Sequence, residues 1–314
     1  MNMAFKKQEL KVLSSNGVHK LAGVVFVPTT QKPIGFFQVV HGMTEYIGRY
    51  ERFMSEMAEA GWICFGHDHL GHGYTVNNAS ELGFIASEGG ADLLQRDVKR
   101  VADAVIKHYT PEGTKLPYVL MGHSMGSFVV RLAVEKKYVT PDKLIVMGTG
   151  GPNPVAGVGL VLINIIKKLR GERHISKLLE NMAFGNYNDA WGGGTEADPN
   201  PWLTSIEEVR MRYNADPLCT FKFTVSAMGD LITLTKEANR KEWFQNMPKN
   251  VPVLLVSGEL DPVGDFVDGV EKVHSGLLKA GVKSEMKIYE NARHEILNDV
   301  SYGDVVRDIL AFCK

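Results

Sequence analysis

Hydrophobic and polar residues alternate with period two over residues 5–13 and 20–27, on either side of Asn16-Gly17. Strict alternation marks strands with one covered face, and an Asn-Gly turn between two such runs predicts an antiparallel hairpin. Beyond Pro33 the pattern becomes short apolar runs separated by helical periodicity. Residues 36–40, 62–65, 118–121 and 144–147 read as buried strands. Helices are expected over 50–60, ended by Gly61, over 92–109 and over 124–135. In the second of these, Leu93, Leu94, Val98, Val101, Val105 and Ile106 recur at helical spacing. After Val251 the same alternation resumes, with strands over 253–256 and 286–289 and helices over 266–280 and 300–312.

This order predicts an α/β fold: a mostly parallel eight-stranded sheet with helices on both faces, opened by an antiparallel hairpin. Between Gly150 and Met247 the strands stop. Helical stretches at 160–169, 206–213 and 221–235 and a glycine-rich loop from Trp191 to Thr195 fill that interval. About a hundred residues is too long for an ordinary connection, so the interval reads as an inserted helical cap. The expected organisation is a core over 1–149, the cap over 150–247, and the rest of the core over 248–314.

Composition narrows the function classes. A hydrophobic fraction of 44% supports a sizeable core, and a net charge of −1 gives no reason to expect nucleic acid as a partner. Cys64, Cys219 and Cys313 are odd in number and far apart, which argues for a reducing compartment rather than a disulfide framework. Met1 to Leu10 carries lysines but no apolar stretch, and the apolar run from Val155 to Ile166 is too short to span a bilayer. A cytoplasmic protein is the expectation.

The candidate chemistry stands at strand ends, where a parallel sheet places its ligands. The strand over 118–121 runs into Gly122-His123-Ser124-Met125-Gly126, followed at once by a helix. Gly-x-Ser-x-Gly in that setting lifts one hydroxyl above the sheet on a tight turn. The strand over 253–256 is followed by Gly258-Glu259-Leu260-Asp261, and the last strand by Asn291-Ala292-Arg293-His294. Ser124 as nucleophile, Asp261 as acid and His294 as base follow the chain order expected of such a turn. An oxyanion would need backbone N–H donors, for which Met125 and Met43, after His41-Gly42, are the candidates.

Plainer readings compete at several positions. Asp261 precedes Pro262 and could serve as a turn starter, Glu259 is an alternative acid, and His274 an alternative base on a helix. His67, Asp68, His69 and His72, with His41 nearby, invite a metal reading. Adjacent residues on an extended strand point to opposite faces, so loop-anchoring hydrogen bonds are expected there instead, and no metal. Gly192-Gly193-Gly194 follows no strand and lacks the Gly-Lys-Ser/Thr ending of a phosphate cradle, so it reads as a loop of the cap.

On these residues the chain resembles the α/β-hydrolases of the monoacylglycerol lipase and lysophospholipase group, in its bacterial form. The similar stretches are His41-Gly42-Met43-Thr44-Glu45 with Arg49-Tyr50, Asp68-His69-Leu70-Gly71-His72-Gly73, Gly122-His123-Ser124-Met125-Gly126, Gly258-Glu259-Leu260-Asp261-Pro262-Val263-Gly264 and Ala292-Arg293-His294-Glu295. Those lipases usually carry histidine where this chain has Tyr46. The resemblance implies a serine hydrolase with a cap over the serine; no metal or organic cofactor is expected.

The cap bears on the substrate. Residues 155–169 are apolar around most of the helix circumference, then basic at Lys167, Lys168 and Arg170. Such a helix is either buried against the main domain, or lines an acyl-chain tunnel or touches a lipid interface. Phe184, Tyr187, Trp191, Trp202, Phe221 and Phe223 add aromatic surface. The expected substrate is a small-molecule ester with an apolar acyl group, a monoacylglycerol or lysophospholipid first. A short-chain or aromatic ester comes next, then an amide or peptide. A catalytically inactive binding protein on the same fold is the alternative of a different class.

Overall fold

The apolar runs that read as strands pair into one eight-stranded sheet. The computed structural model describes residues 4–110, 112–153 and 156–314, so Met1 and Val155, which bound two of the segments singled out above, lie outside the described residues. The hairpin is β1 (Phe5–Leu13) and β2 (Lys20–Pro28). The strands that follow are β3 (Gly35–Val40), β4 (Trp62–His67), β5 (Tyr118–His123), β6 (Lys143–Met147), β7 (Val253–Gly258) and β8 (Ser284–Tyr289). Their spatial order is β1-β2-β4-β3-β5-β6-β7-β8. The pairs β1–β2 and β2–β4 are antiparallel, and all later pairs are parallel.

The helices are α1 (Glu51–Glu59), α2 (Gly90–Tyr109), α3 (Met125–Glu135), α4 (Ala156–Arg170), α5 (Lys177–Phe184), α6 (Glu207–Ala215), α7 (Val225–Ala238), α8 (Lys241–Asn246), α9 (Asp268–Lys279) and α10 (Tyr302–Cys313). Strand residues alternate between two cores, one on each face of the sheet. Phe36, Ile63, Leu120 and Leu255 pack with the apolar faces of α2, α3 and α9. Phe37, Cys64, Val119 and Leu254 pack with Phe53 and Met57 of α1 and Val305 and Ile309 of α10. This two-sided burial explains why β3 to β7 read as continuous apolar runs while β1 and β2 alternate.

Helices α4 to α8 lie between β6 and β7. Both ends of this block meet on one buried side chain, Arg131 of α3. Its guanidinium donates to Ala238 O at the end of α7, to Asn239 Oδ1 (2.9 Å) and to Thr149 Oγ1 (3.1 Å). Asn239 Nδ2 in turn donates to Gly150 O (3.3 Å) and Gly151 O (3.1 Å). Trp243 of α8 stacks on the same guanidinium at 4.2 Å. Burial without a carboxylate partner pulls Arg131 down to about 9. The cost of burying that charge is offset by carbonyl and amide oxygens from both ends of the block, among them Ala238 O at the negative end of α7.

Helix α4 divides its apolar surface. Gly159 and Ile163 are buried toward α7, whereas Val158, Val161, Ile165 and Leu169 are exposed. The expectation of a helix wholly buried against the main domain therefore does not hold. No helix among the described residues is long and apolar enough to cross a membrane. The three cysteines are free and buried.

Candidate active site

Ser124 sits between β5 and α3 with φ 51° and ψ −121°, a backbone geometry that L-residues avoid. The turn is held because Ser124 N–H donates to Met147 O of the neighbouring strand (2.9 Å). The flanking glycines are required by crowding. A Cβ on Gly122 would lie 2.3 Å from Gly126 O, and one on Gly126 would lie 2.2 Å from Val40 O. Helix α3 begins at Met125, so the Met125 N–H is among those at a helix N-terminus that have no intrahelical acceptor.

Asp261 follows β7 and is fully buried. Its carboxylate faces His294, with Nδ1 at 2.9 Å from both Oδ1 and Oδ2. It also accepts Val263 N–H (2.9 Å) and Ser257 Oγ–H (3.3 Å). The turn-starter reading of Asp261 and the partnership with His294 are thus both met by one side chain. Glu259 is exposed and accepts Asn291 N–H (3.0 Å). His274 on α9 bonds Ser284 Oγ (2.9 Å).

His294 follows β8 and is buried at 2% exposure. Its loop is braced by the block between β6 and β7. His294 N–H reaches Trp202 O (3.4 Å), Glu295 N–H donates to Leu203 O (2.7 Å), and the Trp202 ring lies 5.0 Å from the imidazole. With Nδ1–H directed at Asp261, the lone pair of Nε2 is left free to take a proton. Ser124, His294, Met43 and Met125 line one cavity of about 930 Å³, and Asp261 stands behind His294. Phe128, Leu179, Phe184, Tyr187, Phe221, Phe223 and Ile232 make much of its wall apolar.

The loop after β3 is tied down from two sides. Gly42 N–H donates to Glu45 Oε1 (2.6 Å), and Tyr213 Oη of α6 donates to Thr44 O (3.0 Å). Tyr46 donates to Asp216 Oδ2 (3.1 Å), so the residue that departs from the lipase pattern joins this loop to the inserted block. Arg49 makes a bidentate pair with Glu295 (2.5 and 2.7 Å) and reaches Glu45 Oε2 (3.3 Å). None of Glu45, Arg49, Tyr50, His123 or Glu295 was singled out from the sequence for a role. Glu45 and His123 stand at or within five residues of a strand end that carries a candidate, whereas Arg49, Tyr50 and Glu295 lie farther along their loops and had no such signal.

The histidines after β4 gather more closely than an extended run would allow. Gly71 (φ +73°) and Gly73 (φ +48°) turn the chain back. The ring centroids of His69 and His72 lie 4.3 and 5.3 Å from that of His41, and His67 lies 5.2 Å from His69. Asp68 accepts Ile47 N–H (2.7 Å) and Tyr74 N–H (2.8 Å), the loop-anchoring role expected of it. Among the described residues, no group of three or more His, Cys, Asp or Glu side chains is arranged to hold a metal ion.

Comparison with known proteins agrees with this architecture. The model of the hydrolase family described as serine aminopeptidase, S33, matches residues 31–301. The chain is 26% identical to a monoacylglycerol lipase of Mycolicibacterium smegmatis, over 96% of this chain and 98% of the relative. It is 27% identical to human monoglyceride lipase, over 84% and 77% of the two chains. Among solved structures, a thermostable carboxyl esterase from Bacillus coagulans in complex with glycerol superposes with a TM-score of 0.89 at 27% identity, covering 98% and 97%. The sheet order, the serine turn and these likenesses together establish that the chain belongs to the α/β-hydrolase family described as serine aminopeptidase, S33, as a carboxylic ester hydrolase of its monoacylglycerol lipase-like group.

Proposed function

We propose that Ser124, His294 and Asp261 form a nucleophile–base–acid triad that hydrolyses lipid-like monoesters, such as a monoacylglycerol or a lysophospholipid. The observation that carries the reading is the shared cavity: a serine on a strained turn and a buried imidazole oriented by a carboxylate open onto a largely apolar space of about 930 Å³. That volume lies at the upper end of small-molecule sites, and apolar walls suit an acyl chain.

The reaction follows from the groups present. Ser124 Oγ attacks the ester carbonyl while His294 Nε2 takes its proton. Asp261 holds the imidazole tautomer and stabilises the imidazolium. The oxyanion of the tetrahedral intermediate is held by the N–H groups of Met43 and Met125. Collapse expels the alcohol, which takes the proton from His294 and leaves the acyl group on Ser124. Water, deprotonated by His294, then releases the fatty acid and restores the serine. No metal or organic cofactor takes part.

Residues 150–247 act as the cap over this site, between core segments 1–149 and 248–314. A fluorophosphonate probe is expected to label the intact protein and not Ser124→Ala, and p-nitrophenyl esters to be turned over faster as the acyl chain lengthens from two to roughly ten carbons. Labelling that survives Ser124→Ala would remove the nucleophile. Activity confined to the shortest chains would favour the short-chain or aromatic esterase, for which the rings of Tyr187, Trp202, Phe221 and Phe223 around the cavity speak.

The outward face of the cap touches lipid. Val158, Val161, Ile165 and Leu169 form an exposed apolar stripe on α4, with Lys168 and Arg170 flanking Leu169 in sequence. This composition suits an interfacial helix. Cosedimentation with phosphatidylglycerol vesicles is expected, and its loss in the double variant Val161→Asp, Leu169→Asp. Equal sedimentation of variant and parent would exclude the stripe.

A further inference from the structure

His123, the residue before the nucleophile, is 4% exposed, and each of its ring nitrogens faces an oxygen. Nδ1 lies 3.0 Å from Glu45 Oε1 and 2.9 Å from Tyr50 Oη, and Nε2 lies 3.3 Å from the main-chain oxygen of His294. Tyr50 Oη also lies 2.9 Å from Glu45 Oε1 and donates to it, so it accepts from Nδ1. A neutral imidazole carries one bare lone pair. At Nδ1 that lone pair would oppose a carboxylate, and at Nε2 a carbonyl oxygen. Only the doubly protonated ring donates at both ends.

Charge balance leads to the same conclusion. Glu45 and Glu295 are buried carboxylates, and among the described residues Arg49 is the one guanidinium that reaches both. A neutral His123 would leave this cluster with an uncompensated negative charge away from water, which is costly. A charged His123 makes it neutral. Consistent with this, the Glu45 carboxyl is held well below its ordinary value by His123, Arg49 and His41, in spite of burial. His123 is raised: burial acts against the charge, and the hydrogen bond and field of Glu45, with Glu295 and the His294 carbonyl, outweigh it.

We propose that His123 is a buried imidazolium, fixed between the Glu45 carboxylate and the His294 carbonyl, which serves as a positioning residue for the base. It links three loops that the sheet brings together, those after β3, β5 and β8. Its ring centroid lies 4.7 Å from that of His294. By donating from Nε2 to the His294 carbonyl (3.3 Å), His123 fixes the main chain that carries the base and so the approach of that ring to Ser124. The charged and titratable groups around His123 are Glu45, Tyr50 and Arg49 on the β3 loop and His294 and Glu295 on the β8 loop, with Asp261 beyond His294.

The catalytic consequence rests on His294 being the base; the protonation state of His123 does not. Two measurements separate them. In ¹⁵N-histidine-labelled protein at pH 8, the signals lost in His123→Asn should come from two protonated ring nitrogens, and in Glu45→Gln one of them should become unprotonated. An unprotonated nitrogen on His123 in the parent protein at pH 7 to 8 would overturn the imidazolium. In His123→Asn that still reacts with a fluorophosphonate at pH 8, kcat should fall by about tenfold or more while KM stays within about twofold. An unchanged kcat, or kcat and KM altered alike, would reduce His123 to packing. Loss of the serine reading itself would show separately, as labelling that survives Ser124→Ala.

Discussion

Asp261→Asn is expected to lower kcat by about 10⁴-fold, roughly 5 kcal/mol of transition-state stabilisation, with the fold retained. Asp261 presents both carboxylate oxygens to His294 Nδ1 at 2.9 Å. An amide there can donate to Nδ1, which moves the imidazole proton to Nε2 and removes the lone pair that must accept the serine proton. The structural duties of the side chain survive the change: the carbonyl oxygen at the Oδ1 position still accepts Val263 N–H, and the amide NH2 at the Oδ2 position can donate to Ser257 Oγ, whose own hydrogen then turns to Gly258 O. Circular dichroism should therefore be unaltered. Glu259→Gln, by contrast, should leave kcat/KM within about twofold, because an exposed group bonded to a neighbouring loop N–H contributes little at the surface. More than a tenth of the parental kcat in Asp261→Asn, or a large loss in Glu259→Gln, would reassign the acid.

Folding stability is expected to fall by a few kcal/mol between pH 7.5 and pH 5. Burial holds His41 at about 3, His67 and His72 at about 4, and His69 well below its ordinary value. The sign follows from proton counts. As the pH drops through 6.5 the unfolded chain binds protons at these four residues while the native state does not, so stability is lost from pH 6.5 down to about 4 for His67 and His72 and about 3 for His41. At pH 5 His41, His67 and His72 account for about 2 kcal/mol each, and His69 acts in the same direction. Asp68 and Asp230 are raised by burial to about 6, so the native state binds protons there before the unfolded chain does, which returns about 3 kcal/mol over the same window. His123, being raised, adds stability as the pH falls toward 6.5 and keeps it below, which offsets a small part of the loss, and Glu45, being lowered, loses its contribution only below 4.5. A net loss of this size is comparable to the whole stability of many domains. Urea denaturation at pH 7.5, 6 and 5 measures it, and His67→Phe should remove about 2 kcal/mol of the histidine contribution at pH 5. A midpoint constant across that range would contradict the buried, neutral state of these rings.

The cooperation of the loops after β3, β5 and β8 was the least legible part of the site. Ser124, Asp261 and His294 could be named from the sequence because each stands just beyond a strand end, and strand ends are marked by local pattern. The structure brings those three together. Glu45, Arg49, Tyr50, His123 and Glu295 carry no such mark. They become one network only because parallel pairing sets β5 beside β3 and aligns the strand ends on one edge of the sheet. The histidines after β4 show the same limit: reading them as an extended run spreads them over two faces, and the turn at Gly71 and Gly73 gathers them. In the block between β6 and β7 the individual helices were only partly readable. Helix α5 was not anticipated, and α7 starts at Val225 rather than near Phe221, because short helices in such a block take their register from packing on one another.

What the sequence determined by itself was the order of strands and helices, the antiparallel start, the interruption after β6, and the serine turn with an acid and an imidazole after later strands. These are encoded by hydrophobic period and turn chemistry, which act over a few residues at a time. Only the tertiary structure decided the size and lining of the cavity, the division of α4 into a packed and an exposed face, and the charge state of His123. Those depend on which distant groups share one buried volume. Burial sets the energy of a charge, and burial is a property of the assembled fold.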